Sequence, residues 1–243
     1  MKRFYQAVRV APGGQGHGVL LDERPVRTPA KRLLIVPTVL LAEAVAAEWR
    51  EQGEKIRPDL MPLTRLASTA IDRMPGLRQA AIDEAAAYAD TDLLCYRAAE
   101  PFELVQRQHH AWQPMLEWLS TAYGVKLSVT TSMLPVAQPE MARTRLRTAV
   151  AALEDWPLVG VHAATTGLGS LVLGLALLHG RIDADTALAA SLLDELFEIE
   201  RWGTDPEAER RHAALRSDVT GAARFLQAIH EPPEAGRSSS PSR

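Results

Sequence analysis

Residues 158–178 read LVGVHAATTGLGSLVLGLALL and carry no formal charge, a length sufficient to span a bilayer. The composition of the run argues against a span. His162, Thr165, Thr166, Ser170 and four glycines interrupt it, and no tryptophan or tyrosine belt frames both ends. The reading is therefore a helix, Leu158–His179, buried on all sides in a soluble bundle. Within it the spacings Gly160/Ala164, Ala163/Gly167 and Ser170/Gly174 would let neighbouring helices approach closely.

Just downstream, residues 192–203 read LLDELFEIERWG. On a 100° wheel Leu192, Leu193, Leu196, Phe197 and Ile199 form one broad apolar arc. Glu200 falls inside that arc and Glu195 sits at its border. A carboxylate in such a place must find a partner, shift its pKa or face a wet groove. The plain reading pairs each glutamate with an arginine of a neighbouring helix. The sharper one is a groove that recognises another molecule through apolar contact and a few placed acids. Composition does not separate them.

At 243 residues the chain can bury a large core, with one or two domains expected. A formal charge of −3, with both signs interspersed and no basic stripe interleaved with aromatics, makes nucleic acid an unfavoured partner. The single cysteine, Cys95, rules out an intramolecular disulfide and any multi-cysteine metal site. Between Leu94 and Tyr96 it reads as a small core hydrophobe. The opening MKRFYQAVRV enters strand-like sequence at once, without a signal core or presequence, so a cytoplasmic location is expected.

The fold class read from the chain is α+β: a small N-terminal antiparallel β domain with a helix, 1–74, then a larger all-helical domain, 75–230, and a disordered tail, 231–243. Strands are predicted at 3–10, 19–22, 25–28 and 33–36, with 13–18 a glycine-rich flexible connection. A helix over 38–52, N-capped by Thr38, leans on that sheet through Leu41, Ala42, Val45 and Trp49. Further helices are predicted at 62–73, 77–90, 101–123, 139–154, 158–179, 184–202 and 206–229. Pro114 should kink or divide the helix that holds it. A short extended segment is expected at 126–131.

Most candidate chemistry fails on spacing. The glycines at 13, 14, 16 and 18 join two strands, whereas a phosphate loop opens a helix. His109 and His110 point about 100° apart on a helix and cannot chelate one metal. His162 reads as a hydrogen-bonded core histidine. Asp90 and Asp92 could bracket a cation, but capping by Asp90 or Thr91 is the commoner outcome. No HExxH motif and no nucleophile elbow occurs, so no metal, cofactor or catalytic residue is assigned.

Five blocks taken together resemble a known family: 24–38 (RPVRTPAKRLLIVPT), 42–73, 88–98 (YADTDLLCYRA), 165–181 and 191–203 (SLLDELFEIERWG). The family is that of the assembly chaperones of the F-type ATP synthase that attend the alpha subunit of its soluble catalytic sector. The resemblance runs over roughly 20–230, and it is the order and spacing of the blocks that make it specific. It implies a non-enzyme, without cofactor, that holds the free alpha subunit soluble until beta arrives. It points to partner-binding roles for Glu195, Glu198 and Trp202; Trp49 as a helix–sheet anchor, Asp90, Asp92 and Gly203 read as structural, and a structural reading is also open for Trp202. Eukaryotic members act in the mitochondrial matrix, and this chain reads as a bacterial cytoplasmic one, with no stable membrane insertion. The rival reading is a helical enzyme or small-molecule-binding protein with a closed pocket near Glu195, Glu200 and His162.

Overall fold

The computed structural model describes residues 1–132 and 134–230; the expected disordered tail, 231–243, lies outside them. An antiparallel hairpin opens the chain: β1 (Val8–Gly13) pairs with β2 (Gly16–Leu21), and β3 (Arg24–Pro25) and β4 (Ile35–Val36) both pair with β2. The first strand starts at Val8, not Arg3, because the amides of Gln6 and Ala7 are taken by the Asp22 carboxylate instead of a ladder. Most of the run 13–18 is strand, and only Gly14 and Gln15 form the turn. Its glycines serve packing. A Cβ on Gly16 would lie 2.3 Å from the Val36 carbonyl oxygen, so only glycine lets β4 approach.

The helix α1 (Val39–Arg50) covers this sheet with Leu41, Ala42, Val45 and Ala46, and Thr38 caps it by accepting from Leu41 N at 3.1 Å. Trp49 meets Tyr5 edge to face at 5.8 Å, and its carbonyl accepts the Tyr5 hydroxyl at 2.6 Å. Glu48, on the buried face, reaches α2 (Pro62–Asp72). Its carboxylate accepts from Leu63 N at 2.7 Å and from Thr64 N and Oγ1 at 2.8 and 2.7 Å. Burial pushes that carboxyl above its ordinary pKa, against the pull of those hydrogen bonds.

Eight helices follow: α3 (Met74–Thr91), α4 (Phe102–Tyr123), α5 (Glu140–Ala151), α6 (Asp155–Leu168), α7 (Leu171–Leu178), α8 (Ala184–Ser191), α9 (Leu193–Trp202) and α10 (Pro206–Ala228). Pro114 does not divide α4: it and His110, whose carbonyl it frees, are both exposed, so that acceptor is open to solvent. Thr130, in the expected extended segment, bridges Tyr96.

The charge-free run is two helices, not one. Gly169, at φ +67°, ends α6, and Ser170 starts α7 by accepting from Leu173 N at 3.1 Å. Every residue of α7 from Leu171 to Leu177 is buried. Close approach is real at Gly174, where a Cβ would lie 2.3 Å from Thr165 Oγ1, and at Gly160, where it would lie 2.5 Å from Leu226. No helix among the described residues is long and apolar enough to cross a membrane. The expected helix 184–202 is also two, parted at Leu192 (φ −94°, ψ 10°). The wheel drawn across that point does not hold as one face: Phe197 is the buried residue of α9, while Leu196 is exposed.

The last helix laces the chain together. Along α10, Phe225 stacks on Trp156 at 5.9 Å, Gly221 lets Pro62 approach, and Thr38 Oγ1 donates to the Ala228 carbonyl. One buried cluster runs from Tyr5 to Leu226.

Candidate protein-docking site

The acids of 192–203 all lie on α9. Glu195 pairs with Arg211 of α10, and His212 Nε2 lies 3.1 Å from the same carboxylate without hydrogen-bond geometry. Glu200 accepts two bonds of 2.8 Å from Arg107 of α4. So the plain reading of both glutamates is the arrangement seen. His162 Nε2 lies 2.8 Å from Glu84 Oε2 of α3, and the ring is partly exposed instead of a core histidine. Glu195, Glu200 and His162 thus hold three different partners, and the structure does not gather them into a common pocket.

Concavities here are open. A groove of about 690 Å³ is lined by Tyr88, Leu93, Tyr96, Leu192, Arg211 and Leu215, with the Glu195–Arg211 pair at its edge.

Where α4 begins and α9 ends, two large side chains stand out of the surface: Phe102, 77% exposed, and Trp202, 85% exposed. A structural role for Trp202 is therefore overturned, since it buries almost nothing. The two helices are tied to each other around them. Arg201 reaches Glu103 at 3.2 Å, and Arg107 bridges Glu103 and Glu200 at 2.8 Å each. Both guanidinium groups lie over the buried Phe197 ring, at 4.1 Å for Arg201 and 5.2 Å for Arg107. Hydrogen bonding to Arg107 holds the Glu103 carboxyl below its usual range. Glu198 is exposed on the same helix. Gly203 closes α9 at φ +83°, a conformation that favours glycine.

Aromatic and arginine side chains on a rigid, partly charged surface are what protein interfaces use. The sequence reading missed Phe102 and Arg107: a lone phenylalanine after a proline has no periodic signal, and only the folded chain sets it beside α9.

The remaining assigned residues sit elsewhere. Asp92, not Asp90 or Thr91, is the cap. Fully buried, it accepts from Leu94 N (3.1 Å), Ser170 Oγ (2.8 Å) and Val172 N (3.0 Å). Burial pushes its carboxyl up to about 6 despite these bonds. Asp90 is exposed, 3.6 Å from Arg143. Burial, then the Asp92 charge, push the Cys95 thiol up to about 12, which keeps it inert at neutral pH. Among the described residues no group of three His, Cys, Asp or Glu side chains is placed to hold a metal ion.

Known proteins share this architecture. The ATP12 chaperone protein family matches residues 2–120. The crystal structure of Atp12 from Paracoccus denitrificans is 41% identical and superposes with a TM-score of 0.87, covering 94% of this chain and 98% of that one. The Atu1473 protein of Agrobacterium tumefaciens is 35% identical with a TM-score of 0.88, covering 94% of this chain and 86% of that one. The mitochondrial protein atp12 of Schizosaccharomyces pombe is 26% identical over 226 residues, 88% of this chain and 78% of its own. The fold and its relatives define a chaperone. The chain belongs to the ATP12 chaperone family.

Proposed function

We propose that this protein binds the unassembled alpha subunit of the F-type ATP synthase catalytic sector in the bacterial cytoplasm and keeps it soluble until beta takes its place, without catalysing a reaction. The observation that carries the reading is the α4–α9 end, where Phe102 and Trp202 project from helices clamped together by ion pairs. An unassembled subunit exposes an interface that its neighbours later bury. A holding partner must offer aromatic anchors against that interface and charges that fix the register. Glu198 and the pairs of Glu195, Glu200 and Arg201 supply such charges beside the anchors. Family membership supports the chaperone class, and the open groove favours a macromolecular partner over a closed small-molecule pocket.

Co-expression with the host's alpha subunit, in the absence of beta, tests the reading. Soluble alpha that co-purifies with the chain, and is lost with a Phe102→Ala/Trp202→Ala double variant that remains folded, is the expected result. Alpha that aggregates equally with and without the chain refutes the partner. Alpha held equally well by the double variant refutes the surface.

A further inference from the structure

A second concavity is built without any residue of α8, α9 or α10. The loop around Thr28–Ala30, the segment ahead of α2, and α2 itself enclose a cleft of about 710 Å³, within the range of small-molecule sites. Its lining is mostly apolar, with Met1, Trp49, Ile56, Pro58 and Met61, and it carries Arg27, Arg65, Arg73 and Asp72 as its charged groups.

The hydrogen-bond inventory of the cleft is lopsided. Its one carboxylate is engaged: Asp72 accepts from Thr28 Oγ1 at 2.7 Å and from Ala30 N at 3.0 Å. The hydroxyls of Thr64 and Thr69 donate inward, to Glu48 and to the Arg65 carbonyl. What is left to offer is donors. The Trp49 indole Nε1 is buried with no partner among the described residues, an unusual state for an indole N–H. Three guanidinium groups line the cleft against the single Asp72; Asp218 takes up part of Arg65, and Arg27 Nη1 donates to the Lys31 carbonyl at 2.8 Å, which leaves Arg73 and the remaining donors of the other two. A complementary molecule therefore brings apolar surface and oxygen acceptors, at least one of them anionic.

We propose that this cleft binds a small apolar organic carboxylate, with its hydrocarbon body against Trp49, Ile56 and Met61 and its charge on the arginine rim. The Trp49 ring lines the cleft, so a ligand there changes the surroundings of its indole signal. Because such a ligand spans the sheet loop and α2, its binding raises the melting temperature of the chain. The inference is independent of the alpha-subunit reading, since the residues are different and the assay needs no partner.

Titration of the full chain with decanoate, followed by the assigned indole N–H resonances in a ¹H–¹⁵N spectrum, tests it. Decanol, the same body without the charge, is the control. The expected result is a saturable shift of the Trp49 indole signal with that of Trp202 unmoved, and decanoate binding at least fivefold tighter than decanol. Arg73→Gln, at an exposed position, should remove most of that preference. Ser68→Leu, projecting bulk into the cleft, should weaken both ligands, with thermal denaturation confirming that each variant is folded. No saturable shift at Trp49, equal affinity for decanol, or unchanged binding in folded Ser68→Leu would each overturn the proposal.

Discussion

Replacing Asp92 tests how the helical part is held together. Its carboxylate joins segments 78 and 80 positions apart, receiving the Ser170 hydroxyl and the Val172 amide as well as the Leu94 amide. Asp92→Ala leaves two buried amides without acceptors and takes the acceptor from the Ser170 hydroxyl, which still caps Leu173. Each orphaned donor costs about 1–3 kcal/mol. An opposing effect must be subtracted. A carboxyl whose pKa stands at about 6 instead of 3.8 is disfavoured in its charged form by about 3 kcal/mol at neutral pH. The alanine removes that penalty along with the bonds. The orphaned donors prevail because they remain in the folded state with nothing to replace the oxygens, and a net loss of about 2–4 kcal/mol is expected.

Asp92→Asn separates the two effects. One amide oxygen can keep the Leu94 and Ser170 bonds, which share Oδ1, while an NH₂ group then faces the Val172 amide. The asparagine is also blind to pH. In the native chain the folded-state pKa lies above the unfolded one, so folding takes up a proton between them. The resulting stability is fully present below 3.8 and is lost as pH rises through about 6. Between pH 5 and pH 7 the native chain should therefore lose on the order of 1 kcal/mol relative to Asp92→Asn. Urea denaturation of both proteins at several pH values measures this difference and cancels the other carboxylates. Parallel curves, or an Asp92→Ala loss below about 1 kcal/mol, would refute the reasoning.

Gly174→Ala should destabilise by about 1–3 kcal/mol, because its Cβ would fall 2.3 Å from Thr165 Oγ1 and 3.2 Å from the Thr165 amide nitrogen; thermal melts against Gly76→Ala, where a Cβ meets nothing, provide the check. Glu48→Ala should cost about 2–4 kcal/mol in chemical denaturation, since it uncaps α2 at Leu63 and Thr64. Glu195→Lys places a cation beside Arg211. It should change stability by no more than about 1 kcal/mol at this partly exposed pair yet weaken alpha-subunit capture in the co-expression assay, and full capture would remove Glu195 from the proposed interface. Cys95 should react with a thiol reagent only as fast as the chain unfolds, because it is buried and its thiol is pushed up to about 12.

Elements whose signal is local were legible in the sequence. The sheet with its covering helix, the Thr38 cap and the burial of 171–177 follow from pattern and capping chemistry, whereas the preceding helix leaves Thr166 exposed and His162 half-buried instead of being covered on all sides. Both helix breaks escaped it. Gly169 and Leu192 sit inside periodic sequence, and the first is stabilised by Asp92 and by Leu93, whose amide reaches the Gly169 carbonyl at 3.1 Å. Periodicity cannot register a partner that distant in the chain. The same limit applies to the site. Wheel geometry pointed to Glu195 and Glu200 as carboxylates in need of a partner, but it set Glu200 in an apolar arc where the chain leaves it exposed, and the partners Arg211 and Arg107 come from other helices. Phe102 gains meaning only from lying next to α9.

The same ion pairs bear on how a holding surface can let go. An aromatic side chain 85% exposed invites nonspecific association unless its surroundings are charged. Here Glu200 and Arg201 stand just ahead of Trp202 and Glu103 follows Phe102, so each projecting aromatic has charged neighbours. The Arg107 and Arg201 bridges tie the start of α4 to the end of α9, so the two backbone segments that carry the aromatics are held together before any partner arrives. Yet each exposed pair contributes little strength of its own, about 0–1 kcal/mol. On the proposed role, affinity would then rest on a few aromatic contacts, with charges setting orientation more than residence time. A competing subunit that covers the same interface with a larger apolar area would displace such a holder, without any switch in the chaperone itself.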